Sequence, residues 1–71
     1  MSVVKIIELV GQSDLSWEEA VKRAVKEAAK TIRNISGVKV LNCTGNVNNK
    51  GEIIEYKANV QIAFRVEPES D

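Results

Sequence analysis

The chain has 71 residues, ten basic and ten acidic side chains, no histidine and a single cysteine, Cys43. One cysteine excludes an internal disulfide and the missing histidines argue against a structural zinc site, so a chain of this length is expected to form one domain over residues 1–71 that gains stability by self-association. Zero net charge gives no general affinity for nucleic acid and no apolar run reaches the roughly 18 residues that cross a bilayer, so neither is an expected partner; the free thiol and the lack of a leader-like segment set the expectation of a cytoplasmic protein.

Residues 3–10, VVKIIELV, are rich in branched side chains and read as a strand. Val3, Ile7 and Leu9 share one face with Lys5, while Val4, Ile6 and Val10 share the other with Glu8. Two apolar faces need cover on both sides, which one helix cannot supply within a single copy. A polar turn over residues 11–15 leads to Ser16, the expected N-cap, with Glu19 three positions later completing a capping box. Trp17, Ala20, Val21, Ala24, Val25, Ala28, Ile32 and Ile35 recur at three- and four-residue spacing and predict a helix reaching residue 34 or 35. Glu18 and Glu19 at its start and Lys30 and Arg33 at its end suit the helix dipole, and Glu18–Lys22 and Glu19–Arg23 are spaced to pair.

A second strand is expected over residues 38–47, followed by a turn at Asn48, Asn49, Lys50 and Gly51. The third strand, residues 51–66, alternates almost without error. Ile54, Tyr56, Ala58, Val60, Ile62, Phe64 and Val66 form an apolar face; Ile53, Glu55, Lys57, Asn59, Gln61, Ala63 and Arg65 form the other. Fully extended it would span roughly 45 Å, so it either bends around the helix or lends part of its length to neighbouring copies. Pro68 and the acidic end EPESD are expected to close the structure. The order is β-α-β-β. The expected fold is α+β, a three-stranded antiparallel sheet wrapped around one long helix, with the even face of the last strand against the helix.

Catalytic chemistry finds little support in these residues. No histidine is available as a general base, Ser13 and Ser16 read as turn and cap residues, and Cys43 reads as a small buried apolar side chain. Glu52 and Glu55 are read as members of a solvated polar face. Asn42, Asn46, Asn48 and Asn49 could offer oxygens to a hard cation, especially where symmetry multiplies a weak ligand, although turn formation explains them more simply. Trp17 is expected to anchor the core or an interface. Lys57 and Arg65 stand on the polar face, where a phosphate contact by Arg65 is the sharper reading and solvated charge the plainer one.

Three stretches carry a family resemblance: the opening VVKIIELVGQSDLSWEEAVKRAV, the segment TIRNISGVKV, and the closing EYKANVQIAFRVE. Together they resemble the dodecins over nearly the whole chain. The resemblance implies β-α-β-β subunits whose sheet wraps a helix, assembled through trimers into a hollow homododecamer that binds or stores a small ligand and is not an enzyme. Many members bind flavins, such as FMN or riboflavin, in pairs at subunit interfaces. In those members a tryptophan stands at the position of Gly37 and stacks on the flavin ring, and a glutamine stands at the position of Lys57 and hydrogen-bonds the ring edge. Gly37 offers no ring to stack on, and an ammonium cannot accept a hydrogen bond. The pattern is closer to the calcium dodecins, so the leading expectation is a dodecin-type binding and storage protein for calcium or another small ligand. The alternative is a flavin-storing dodecin with altered geometry at Gly37 and Lys57. The metal ligands are not assigned by this pattern.

Overall fold

Four elements follow one another in the order strand, helix, strand, strand: β1 (Val3–Ser13), α1 (Trp17–Ala29), β2 (Ile35–Val47) and β3 (Ile53–Val66). The structure, a computed structural model, describes residues 3–66; the expected role of Pro68 and the acidic end lies outside them. The sheet order is β1-β3-β2 with both pairings antiparallel, so β3 is the central strand. A central strand is flanked on both edges and separates one covered face from one open face, which is why its alternation is so strict.

The expected orientation of β3 holds from Tyr56 onward; at the start of the strand a bulge at Ile54 breaks the alternation and brings Ile53, not Ile54, to the helix side beside Gly45 and Trp17. Ala58, Val60 and Ile62 are buried beneath Ala20, Ala24 and Ala28 of α1, with Ile7, Leu9, Val21, Val25, Ile32 and Ile35 packed around them. The alanine stripe lets the helix sit close to the sheet. Gly11 shows how close, because a Cβ there would overlap the Ala20 carbonyl. Ser16 caps the helix by accepting a hydrogen bond from the Glu19 amide at 3.0 Å.

Several boundaries differ from the sequence expectation. The helix ends at Ala29 rather than at residue 34 or 35. The amides of Lys30 and Thr31 bond three residues back, to Glu27 and Ala28, which tightens the last turn, and Asn34 adopts a left-handed φ of 64° that turns the chain into β2. Ile32 and Ile35 still reach the core from this turn, so they matched the helical spacing without belonging to the helix. β1 runs three residues beyond the expected 3–10, as far as Ser13. β2 starts at Ile35, so Gly37 lies within a strand. Gly51 belongs to the turn before β3, with φ of 80°.

Cys43 is exposed, contrary to its expected burial. Two facts account for it. α1 lies over β1 and β3, leaving β2 largely uncovered along its length. Register shifts at Ile35/Gly37 and Val40/Asn42 also break the alternation of β2, pairing Val38 and Val40 with the buried Ile62 and Val60 but turning Asn42 to the open face opposite Asn59, while the shift at Asn46/Val47 leaves the extra residue, Ile54, in β3. Cys43 opposite Ala58 is on the helix side of the sheet, but beyond the reach of the helix.

The chain is thin and long, 60 × 19 × 12 Å, with a radius of gyration of 15.0 Å. A compact chain of this length would have a radius of roughly 11 Å. The 13-residue helix covers only about 20 Å of a 14-residue strand that spans roughly 46 Å. Of the two ways of accommodating a long β3, the chain therefore leaves part of it bare.

Candidate functional site

The open face of the sheet carries the polar groups singled out from the sequence, arranged as cross-strand pairs. Gln61 donates to Glu8 at 3.2 Å from β3 to β1. Asn59 donates to Asn42 at 2.8 Å from β3 to β2. Asn46 donates to Glu55 at 2.9 Å, and Lys57 stands 3.8 Å from the same carboxylate. These contacts follow from register, since Glu8 pairs with Gln61, Asn42 with Asn59, and Asn46 with Glu55. The face is hydrogen-bonded along its length and mixes amides with two carboxylates and two lysines, Lys39 and Lys57.

Gly37 opens this face at one end. Nothing lies within 4 Å of the place where its Cβ would be. A shallow depression of about 250 Å³ surrounds it, lined by Ile6, Val38, Lys39, Gln61 and Ala63. Ile6 and Ala63 give it an apolar floor, and Gln61 and Lys39 give it polar edges. Ile6 came from β1 by register and was not a candidate from the sequence; its two-sided apolar strand was the only signal pointing to it.

Gly37 and Lys57 do not meet within one copy. Gly37 is opposite Ala63 and Lys57 is opposite Thr44, so six residues of β3, roughly 20 Å, separate the two positions. Arg65 is at the Gly37 end, two residues beyond Ala63, and its backbone amide bonds the Asn34 carbonyl at 3.0 Å. It does not approach Lys57.

Tested against a flavin, these residues fit poorly: the depression has no aromatic wall, and Lys57 engages Glu55 with a group that only donates. Tested against calcium, one copy supplies scattered oxygens. Among the described residues no three acidic, cysteine or histidine side chains cluster as a metal site. Asn48 is held inside its own turn, its Oδ1 accepting from the amides of Lys50 and Glu52 and its Nδ2 donating to Glu52. The asparagines therefore serve turn and sheet first. A calcium site built from this face needs carboxylates from more than one copy.

Trp17 stands at the other end of the molecule. Its Nε1 donates to the Thr44 carbonyl at 2.7 Å, and its ring meets Tyr56 edge-on at 4.8 Å between centroids. The indole thus pins the helix N-terminus to the β2–β3 hairpin, an anchoring role of the kind expected from the sequence.

The family model described as Dodecin matches residues 3–67. The calcium dodecin of Mycobacterium tuberculosis is 32% identical over 68 residues, covering 96% of this chain and 94% of that one. Its crystal structure, described as that of a calcium-chelating antigen with a novel calcium-binding site, superposes with a TM-score of 0.78 at 29% identity, covering 97% of each chain. The dodecin of Thermus thermophilus is 34% identical over 65 residues, 92% of this chain and 93% of that one. A point mutant of that dodecin superposes with a TM-score of 0.88 at 33% identity, covering 94% of this chain and 98% of the other.

Proposed function

Because the chain belongs to the dodecin family, we propose that it forms a non-enzymatic homododecameric shell, built from trimers, that binds and stores a small ligand or ion. Calcium or another cation is favoured over flavin. The observation that carries this preference is the empty position at Gly37, where no ring can stack, together with the ion pair that occupies Lys57. The similarity to a calcium dodecin supports the same choice.

Self-association is supported by what one copy leaves exposed. Val4, Ile6 and Val10 on the open face of β1 and Val38, Val40 and Leu41 on β2 face water in a single chain, and Ile6 is 58% exposed. Apolar surface spread over both edges of a small sheet marks contact surfaces. The 20 Å between Gly37 and Lys57 has the same consequence for the ligand, because a site using both positions must combine copies. Carboxylates such as Glu8 and Glu55, repeated around a symmetry axis, would give the oxygen donors that one copy lacks.

Flavin storage remains the second reading, carried by the depression at Gly37 and its apolar floor of Ile6 and Ala63. Native mass spectrometry of freshly purified protein, paired with absorbance in the near-ultraviolet and blue flavin bands, separates the two. The expected result is twelve chains, a colourless solution, and heat on calcium titration that disappears after chelation. A yellow dodecamer that quenches added riboflavin would instead establish the flavin reading, and a monomer would refute the shell.

A further inference from the structure

The geometry points to a second binding site, for a small zwitterion of the α-amino acid kind, in the recess beside the end of β1. Arg23 holds the carboxylate of the ligand, and Asp14 and Glu55 hold its ammonium group. The site is formed within one copy, so it does not rest on assembly, and its lining is separate from that of the depression at Gly37.

Register brings the two carboxylates together. The β1–β3 ladder ends with Ser13 opposite Tyr56. One step further along each segment stand Asp14 and Glu55, which line a recess of about 350 Å³ together with Gln12, Ser13 and Arg23. Ser13 is buried, and its Oγ accepts a hydrogen bond from the Leu15 amide at 2.9 Å, which holds the turn that carries Asp14. Like charges placed opposite one another across strands are destabilising, so this arrangement calls for a positive group between them.

The chain itself supplies that group only in part. Lys57 stands 3.8 Å from Oε1 of Glu55, an oxygen that also accepts from Asn46. Among the described residues Oε2 of Glu55 accepts no hydrogen bond, and the Asp14 carboxylate has neither a hydrogen bond nor an ion pair. Arg23 lines the same recess, yet among the described residues it makes no ion pair with Asp14, with Glu55 or with Glu19 one turn before it. Its Nη1 reaches only the Gln12 carbonyl, at 3.4 Å, so a guanidinium with five donors has most of them to spare. The recess thus presents charges of both signs that do not neutralise one another directly. A ligand with both charges answers both: the guanidinium fork takes a carboxylate through two hydrogen bonds, and an ammonium group bridges two carboxylates. A simple cation would leave Arg23 unanswered, and a simple anion would leave the carboxylates so. Lys57 behind Glu55 brings the local charge to zero, which suits a ligand of no net charge. The recess is at the small end of ligand pockets, which begin at about 300 Å³.

The test is isothermal titration calorimetry of the full chain, freed of divalent ions by chelation, with L-alanine, ethylamine and acetate as probes. L-Alanine should bind, and ethylamine and acetate, each lacking one of the two charges, should bind about tenfold more weakly or worse. Arg23→Gln and Asp14→Asn should each weaken L-alanine by about tenfold or more, and Arg23→Lys should recover part of that loss. Lys22→Gln, on the same helix but outside the recess, should change nothing. Circular dichroism checks that each variant is folded, and the comparison of probes on the parent decides the matter where a variant is not. No heat from L-alanine in the folded parent would overturn the site. Ethylamine binding as tightly as L-alanine would overturn it too, by showing that Arg23 takes no part. So would calcium binding that Asp14→Asn removes from a protein indifferent to L-alanine, which would give the two carboxylates to the cation of the proposed function instead.

Discussion

At the scale of single residues, two glycines do opposite work. Gly11 is a closed position, where the Ala20 carbonyl of the helix occupies the space a side chain would need. Gly11→Ala should cost about 1–3 kcal/mol or more, since strand and helix must separate, and this is read from the midpoint of urea unfolding. Gly37 is an open position, where any side chain fits. Gly37→Trp combined with Lys57→Gln should leave stability nearly unchanged and give the protein flavin affinity, seen as quenching of riboflavin fluorescence. No quenching in a folded, assembled double variant would mean that these two positions do not decide ligand choice. Both glycines are plain in the sequence, but their difference is not, because it depends on what the fold brings to each.

At the scale of elements, the helix start is written locally and its end is not. Ser16 and Glu19 mark the N-terminus by side-chain chemistry within four residues, and the structure has that cap at 3.0 Å. Ser16→Ala should therefore cost about 1 kcal/mol in equilibrium unfolding, with the β-strand signal in circular dichroism retained. The helix end was misread because Ile32 and Ile35 keep helical spacing while serving as core residues in a turn that Asn34 redirects. The alternation of β3 gives its faces correctly from Tyr56 onward but not at Ile53 and Ile54, where a bulge interrupts it. β2 was harder, because its register shifts are set by pairing with β3 and leave no period in the sequence. The same shifts put Cys43 on the helix side yet outside the helix's cover, which is why a residue type that is usually buried is exposed here.

At the scale of the whole molecule, the helix is too short for the sheet it serves. A 60 Å chain with one 13-residue helix leaves sheet uncovered at the hairpin end and along β2. In the proposed assembly neighbouring copies would cover this surface, so the thermal midpoint should rise with protein concentration, by mass action. A midpoint that stays constant over a hundredfold dilution, with the assembly shown to dissociate across that range, would place the stability inside the single chain. The candidate site belongs to this scale as well. Gly37 and Lys57 are at separate places on one sheet face, and only an assembly can bring such positions to one ligand.

Local chemistry and periodicity were enough for the element order, the helix cap, the buried face of β3 and the likeness to the dodecins, because each rests on residues close together in the chain. Three things depended on the tertiary structure: the central place of β3, the pairing of Glu8 with Gln61 and of Asn42 with Asn59, and the depression formed by Ile6 and Ala63 at Gly37. Each joins residues about 17 to 57 positions apart, and strand register, which carries no short-range signal, decides which of them meet.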